Sequence, residues 1–155
     1  VTGAPFDSYL TLRGLRTLNA RMPIHGDNAL AIADMLSTHP LVKRVYFPGL
    51  SSHPQHHIAR EQQSGFGAIV SFELHGGIEH VRRFVESVKL FSLAESLGGV
   101  ESLVAHPATM THAALDAETR QRAGLVDGLL RLSVGIEARD DLIADLKSAL
   151  DHVSI

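Results

Sequence analysis

The chain has 155 residues, of which 45% are hydrophobic and 20% charged, as in one globular domain with a buried core. Its formal net charge of −3 excludes a basic surface for nucleic acid and a polybasic anchor for anionic membranes. No apolar run reaches the roughly 20 residues that span a bilayer. The absence of cysteine excludes disulfides and thiolate chemistry, and we expect a cytoplasmic protein.

The sequence of the N-terminal part predicts one long helix, which can have a kink in its middle. Apolar residues recur at helical spacing in residues 6–21 and again in residues 27–38. Pro23 removes a helix hydrogen bond between the two stretches, and a His-Pro pair ends the second. A domain that opens on a long helix commonly packs it against another part of the polypeptide. Because the chain starts at Val1 and not at a methionine, we expect it to be part of a longer protein.

Helices and strands alternate in the rest of the chain. Runs rich in β-branched and aromatic residues predict strands at residues 42–47, 68–74, 90–96 and 129–134. Apolar stripes and end signals predict helices at residues 56–63, 78–88, 116–123 and 140–153. This order predicts an α/β two-layer sandwich, with a small, mostly antiparallel sheet and helices on one face. The other face of the sheet would then be free to meet a ligand or another domain.

An arginine stands in the middle of the last predicted strand. Side chains alternate across a sheet, so Leu130 and Leu132 share one face while Arg131 and Ser133 share the other. An arginine in mid-strand needs an anionic partner, and its planar fork suits a carboxylate. Arg131 could therefore bind a substrate carboxylate, or form a structural salt bridge with a nearby acid such as Glu137. Spacing alone favours the salt bridge.

Polar and glycine residues follow the third predicted strand. Ser96 precedes Leu97 and the pair Gly98-Gly99, and glycines let backbone N–H groups approach a ligand closely. These residues could line a pocket for the same carboxylate, or form an ordinary turn at the end of a strand. Glu95 could bind a substrate ammonium group or simply face solvent. The pattern by itself favours the structural interpretation in both cases.

Ten histidines raise the question of a metal site. His53, His56 and His57 cluster, and His106 and His112 flank a second short segment. A zinc site requires helix-spaced histidines and a further ligand, and a proline interrupts the first cluster. We therefore expect no metal site and interpret these histidines as surface or capping residues, with metal binding kept as a lesser hypothesis.

Four long segments together resemble the C-terminal domain of the pyridoxal-phosphate-dependent enzymes of cysteine and methionine metabolism. They are FDSYLTLRGLRTL (6–18), SGFGAIVSFEL (64–74), LFSLAESLGGVESLVAHPATMTH (90–112) and LLRLSVGIEARDDLIADL (129–146). The similarity covers nearly the whole chain in the same order, which is far beyond a chance match. It implies the fold of the small C-terminal domain of fold-type I pyridoxal-phosphate transferases. It also reverses the preference for the structural interpretations of Arg131 and Ser96.

The resemblance implies roles for four substrate-side residues. Arg131 matches the arginine that binds the substrate α-carboxylate, and Ser96 matches the serine beside it. Glu95 matches a position near the distal part of the substrate, where an acid resembles the γ-synthase and γ-lyase branches. Thr111 matches a position on the cofactor-lysine side of the pocket. No residue of this chain is expected to act in catalysis or to bind the cofactor.

The resemblance also implies a reaction and a domain organisation. The γ-synthase branch, which joins cysteine to an activated homoserine ester, is the most similar, and the γ-lyase branch is the alternative. Family members are tetramers, and their Schiff-base lysine lies in a larger preceding domain. We therefore expect residues 1–38 to lead from a pyridoxal-phosphate-binding domain into a substrate-side domain, residues 39–155. This chain alone would then bind no cofactor covalently and would not turn over.

A hypothesis of another class is a non-catalytic module that binds or senses an amino acid. The two hypotheses differ in whether a lysine-bearing domain precedes this chain in the complete polypeptide.

Overall fold

The fold is an open five-stranded sheet whose core lies between one face of the sheet and three helices. A computed structural model describes residues 2–153, except for the side chain of Ala117. The helices are α1 (Pro5–Ser37), α2 (His56–Gln62), α3 (Ile78–Ser87), α4 (Ala117–Arg122) and α5 (Arg139–Val153). The strands are β1 (Val42–Tyr46), β2 (Ile69–Leu74), β3 (Ser92–Leu93), β4 (Leu103–Ala105) and β5 (Leu129–Ser133).

The strands lie in the order β1-β2-β5-β4-β3, and all neighbours are antiparallel except β3 and β4. This confirms the predicted α/β fold with a mostly antiparallel sheet. Two details of the prediction were wrong: the strand expected at residues 90–96 contains only two residues, and β4 was not predicted. β3 is short because only its two residues pair with β4. β4 has three buried residues, too few for an alternating pattern to mark it in the sequence.

The central strands β2 and β5 present one face to the helices. Phe72, Leu130 and Leu132 are completely buried on that face. The ring of Phe72 meets the ring of Phe84 from α3 edge-on, with 5.6 Å between centroids. The predicted shared face of the two leucines is therefore confirmed, and burial of each such side chain contributes about 1.5–3 kcal/mol.

The two halves of α1 have different surroundings. As predicted, one helix continues through Pro23, and its C-terminal half buries Ile32 and Leu36 in the core. The N-terminal half exposes its apolar side chains, with Phe6 67% and Leu15 60% exposed. Contiguous exposed apolar surface of this kind marks a site for packing against other protein. Although α1 is long, neither it nor any other helix in residues 2–153 is apolar enough to cross a membrane.

A buried carboxylate fixes the loop that leads into β3. Asp145 of α5 is 8% exposed. Its carboxylate accepts hydrogen bonds from the backbone N–H groups of Lys89 at 2.8 Å, Leu90 at 2.9 Å and Phe91 at 3.3 Å. Three donors satisfy a charge that would otherwise be costly to bury. The segment before β3 is thereby tied to α5.

Asp145→Asn should lower the free energy of unfolding by about 1–3 kcal/mol, because the amide replaces an acceptor with a donor that faces backbone N–H groups. Asp151→Asn is the matched control at an exposed position of the same helix, and it should change that free energy by less than about 0.5 kcal/mol. Urea unfolding followed by circular dichroism measures both variants. Equal stability of the two would show that the carboxylate does not hold this loop.

Candidate functional site

Arg131 lies in the middle of β5, on the sheet face opposite α3 and α5. Its neighbours across the sheet are Ser71 of β2 and Ala105 of β4. Its Nη2 donates a hydrogen bond to the carbonyl oxygen of Ser96 at 3.1 Å. Its Nε is buried and has no hydrogen-bond partner in residues 2–153. The guanidinium is thus held by one neutral contact, and its charge is not compensated.

The alternative salt bridge between Arg131 and Glu137 is absent from the described part of the chain. The Glu137 carboxylate instead accepts two hydrogen bonds from Ser102. The backbone N–H of Ser102 donates at 2.7 Å and the Ser102 hydroxyl donates at 2.8 Å. The ion pairs within residues 2–153 join Lys43 to Glu73, and Arg82 to two acids of its own helix. A half-buried guanidinium without an acid favours an external anion as its partner.

The Ser96 and Gly98 backbone lies directly against β5. The N–H of Gly98 donates to the Oγ of Ser133 at 2.9 Å, and Ser133 is 3% exposed. Gly98 has φ +79°, a left-handed conformation that glycine adopts without steric strain. This face of the sheet is therefore partly covered by the chain itself, and not bare as the sequence suggested. We call Arg131, Ser96, Gly98 and Ser133 the Arg131 site.

The structure joins Ser96 to Arg131 but does not join the other two predicted residues to them. The side chain of Glu95 is exposed. Thr111 is also exposed, and its Oγ1 shares a hydrogen bond with Nδ1 of His112 at 2.7 Å. Among the described residues no hydrogen bond links either of them to Arg131. Their roles, like those of Arg131 and Ser96, stay predictions.

The Arg131 site is open to solvent at Ser96 and Gly98, whereas Arg131 is half-buried and Ser133 is buried. One groove, of about 480 Å³, lies along β1 and residues 50–55. Another, of about 330 Å³, is lined by Arg120, Gln121 and residues 125–127. Neither groove is lined by Arg131 or Ser96.

His53 and His56 of the first histidine cluster make local contacts. His56 Nδ1 lies 2.8 Å from the carbonyl oxygen of Pro48, and its ring stacks on Phe66 with centroids 5.3 Å apart. His53 Nδ1 accepts a hydrogen bond from the backbone N–H of Gln55. No group of three or more potential metal ligands occurs in the part of the chain that the structure describes. The interpretation of the histidines as surface or capping residues stays a prediction.

A profile of the family "Cys/Met metabolism PLP-dependent enzyme" matches residues 1–151. The chain belongs to this family. The resemblance inferred from the four sequence segments is thereby confirmed, and the family's cofactor is pyridoxal phosphate.

Members of this pyridoxal-phosphate family with several activities are similar to the chain. It is 57% identical to cystathionine γ-synthase of Escherichia coli over 148 residues, 96% of this chain and 38% of that protein. It is 55% identical to cystathionine γ-lyase of Dictyostelium discoideum, also over 148 residues, which are 96% of this chain and 38% of that protein. A crystal structure of cystathionine γ-synthase from Xanthomonas oryzae pv. oryzae, in complex with cystathionine, has 60% identity and a TM-score of 0.95, and the match covers 99% of this chain and 40% of that one. The chain thus spans about two fifths of the length of the relatives it matches.

The lysines of residues 2–153 do not form a binding site for the cofactor. A pyridoxal-phosphate enzyme binds its cofactor through a lysine imine. The lysines here are Lys43, whose Nζ pairs with Glu73 at 2.6 Å, and the exposed Lys89 and Lys147. None of them stands in an enclosed site that excludes water.

His106 anchors the start of the segment that carries Thr111. Its Nε2 lies 3.0 Å from the carbonyl oxygen of Asp127, so Nε2 must carry a hydrogen and donate it. Its Nδ1 then accepts from the hydroxyl of Thr109 at 2.8 Å. Burial lowers the pKa of His106, because desolvation disfavours the charged imidazolium. The fold therefore holds His106 in its neutral form.

This neutral histidine should make the fold sensitive to acid. In the unfolded chain His106 takes up a proton near pH 6.5, whereas in the folded chain it does so only at lower pH. The contribution of neutral His106 to the free energy of unfolding is therefore fully present above pH 6.5 and declines as the pH falls below that value. His106→Asn should reduce the decline in unfolding free energy between pH 7 and pH 5. Urea unfolding at a series of pH values measures it. An unchanged pH dependence in the variant would exclude His106 as its source.

Proposed function

We propose that this chain is the C-terminal, substrate-side domain of a pyridoxal-phosphate-dependent transsulfuration enzyme, and that Arg131 binds the α-carboxylate of the amino-acid substrate. The observation that carries the proposal is the half-buried guanidinium of Arg131 in the middle of β5, which has no acid partner in residues 2–153. The carbonyl oxygen of Ser96 orients this group without neutralising it. A carboxylate supplies both the missing charge and acceptors in the plane of the fork.

The task of this domain in such an enzyme is to position the substrate. Arg131 holds the carboxylate, and the exposed Ser96 lies beside it to complete the contact. Glu95 stands one residue earlier and faces the distal part of the substrate. Thr111 completes the wall on the cofactor side. The bound cofactor supplies the electron sink for the bond changes at the substrate, and the domain lowers the entropy cost of bringing the two together.

The reaction we propose is γ-replacement, in which the sulfur of cysteine displaces the acyloxy group of an O-acyl-homoserine, released as a carboxylate, to form cystathionine. The support is 60% identity to the Xanthomonas γ-synthase, which was crystallised with cystathionine and also with aminoacrylate and cysteine. The alternative is a cystathionine γ-lyase or a related carbon–sulfur lyase. It is supported by 55% identity to both a γ-lyase and a β-lyase. Assays for formation and for breakdown of cystathionine by the complete enzyme separate these alternatives.

We further propose that α1 packs against the cofactor-binding domain. Residues 1–38 would link that domain to the substrate-side domain, residues 39–155. The exposed apolar side chains of Phe6 and Leu15 support this arrangement, as does the coverage of only 38–40% of related chains. The complete enzyme would be a cytoplasmic homo-tetramer, and this chain alone would not turn over. A free-standing, non-catalytic amino-acid-binding module is the alternative of another class, and it would bind amino acids without the cofactor.

In the complete enzyme, Arg131→Lys should raise the KM for the amino-acid substrate about 10- to 100-fold, because lysine cannot make the bidentate charged contact. Arg82→Lys, in an exposed ion-pair cluster on α3, is the matched control and should leave KM unchanged. Steady-state kinetics measures both. An unchanged KM for Arg131→Lys would refute the assignment of the carboxylate to Arg131.

The proposed domain packing predicts a second effect. In the complete enzyme, Leu15→Asp should lower the free energy of unfolding by about 2–5 kcal/mol, because it removes a leucine that the proposed contact would bury and introduces a charge there. Ile78→Asp serves as control, since Ile78 is exposed at the start of α3. Chemical unfolding of both variants provides the comparison. If Leu15→Asp behaves like its control, the N-terminal half of α1 does not pack against another domain.

A further inference from the structure

Two side chains of β5 hold the segment that carries Ser96. Arg131 and Ser133 are two residues apart on one face of the strand. Arg131 donates to the carbonyl oxygen of Ser96 at 3.1 Å, and Ser133 accepts from the N–H of Gly98 at 2.9 Å. The residues that they hold are also two apart, so the segment lies against β5 at two successive positions. Ser133 is almost completely buried under it.

The far end of the same segment is held by a carboxylate. Glu137 accepts from both the backbone N–H and the hydroxyl of Ser102, at 2.7 and 2.8 Å. The Ser102 Oγ in turn accepts from the N–H of Gly135 at 2.8 Å. The N–H of Ile136 donates to the carbonyl oxygen of Val100 at 2.9 Å. A side chain at Gly135 would collide with that carbonyl oxygen, so the segment and the turn after β5 are in close contact.

We propose that Ser133 and Glu137 are positioning residues of the carboxylate-binding site. They hold residues 96–102 in the arrangement that Arg131 and Ser96 need to receive the α-carboxylate. This inference rests on the proposed role of Arg131. Neither residue needs to touch the substrate, because each acts through the backbone of the segment.

The turn that carries Glu137 is itself fixed to α1. Asn28 Nδ2 donates to the carbonyl oxygens of Gly135 at 3.2 Å and Glu137 at 3.0 Å. His25 Nδ1 lies 2.6 Å from the carbonyl oxygen of Val134. Both side chains are buried in the C-terminal half of α1. The ties therefore connect the exposed segment to the core, and its geometry is set before a substrate arrives.

A segment that is already ordered improves substrate binding, because no entropy cost of ordering the segment opposes association. If either tie is lost, Ser96 and Gly98 sample other positions, and Arg131 loses the carbonyl oxygen that orients it. The expected effect falls mainly on substrate binding. The chemistry on the other side of the substrate does not depend on these residues, so kcat should change little.

In the complete enzyme, Ser133→Ala should raise the KM of the amino-acid substrate about fivefold, the loss that corresponds to one hydrogen bond. The matched control is Leu132→Val, at the neighbouring position of β5 on the core face. That variant should lower stability without raising KM. Amide hydrogen exchange gives a readout independent of activity: the Gly98 amide should exchange faster in Ser133→Ala and at the wild-type rate in Leu132→Val.

Glu137→Gln tests the second tie, because its amide leaves one of the two Ser102 donors without an acceptor. It should raise KM about five- to tenfold. Comparison of the amino acid with its carboxamide separates positioning from general destabilisation. Both variants should reduce the preference for the carboxylate, whereas a purely structural loss would raise the two KM values in proportion.

The outcomes distinguish this inference from the proposed function. If Arg131→Lys raises KM while Ser133→Ala and Glu137→Gln keep the wild-type KM and carboxylate preference, the positioning role is refuted and the role of Arg131 stands. If Arg131→Lys itself leaves KM unchanged, the proposed function is refuted first. Raised KM values with lost carboxylate preference in all three variants support both.

Discussion

The two-residue period of strand β5 imposes the main constraint on this structure. The strand lies in the middle of the sheet, between β2 and β4, so both of its edges are paired with other strands. Leu130 and Leu132 point into the core with the helices, whereas Arg131 and Ser133 point to the opposite face. A shift of one residue in its pairing would bury the guanidinium among leucines and expose the leucines. The core packing therefore fixes where Arg131 can be.

Charge in this domain mostly serves to organise the backbone. Asp145 binds three successive N–H groups before β3, and Glu137 binds Ser102 at the far end of the following segment. Both acids belong to α5 or to the turn before it, so the packing of α5 controls the position of residues 89–102. Arg131 differs from the other cations in its place, because it is half-buried in the middle of a central strand and no acid in residues 2–153 pairs with it. This placement supports the proposal that an external anion is its partner.

Sequence patterns predicted the long elements well and the short ones poorly. α1, α3, α5, β2 and β5 have enough residues for an apolar period to be recognised. β3 and β4 have two and three residues, and their pairing depends on the loop that brings them together. The resemblance of four segments to the pyridoxal-phosphate family carried the prediction further, and the family match over residues 1–151 confirmed it.

The sequence by itself determined the fold class, the face on which Arg131 lies and the family, because these depend on local period and on long ordered motifs. Only the tertiary structure decided the partners of the charged groups. The sequence allows Glu137 as a salt-bridge partner of Arg131, yet the carboxylate of Glu137 binds Ser102. The ties from Ser133 to Gly98 and from Glu137 to Ser102 join residues 33 or more positions apart. No periodicity in a single sequence encodes contacts of that range, because they arise when separate elements pack around one core.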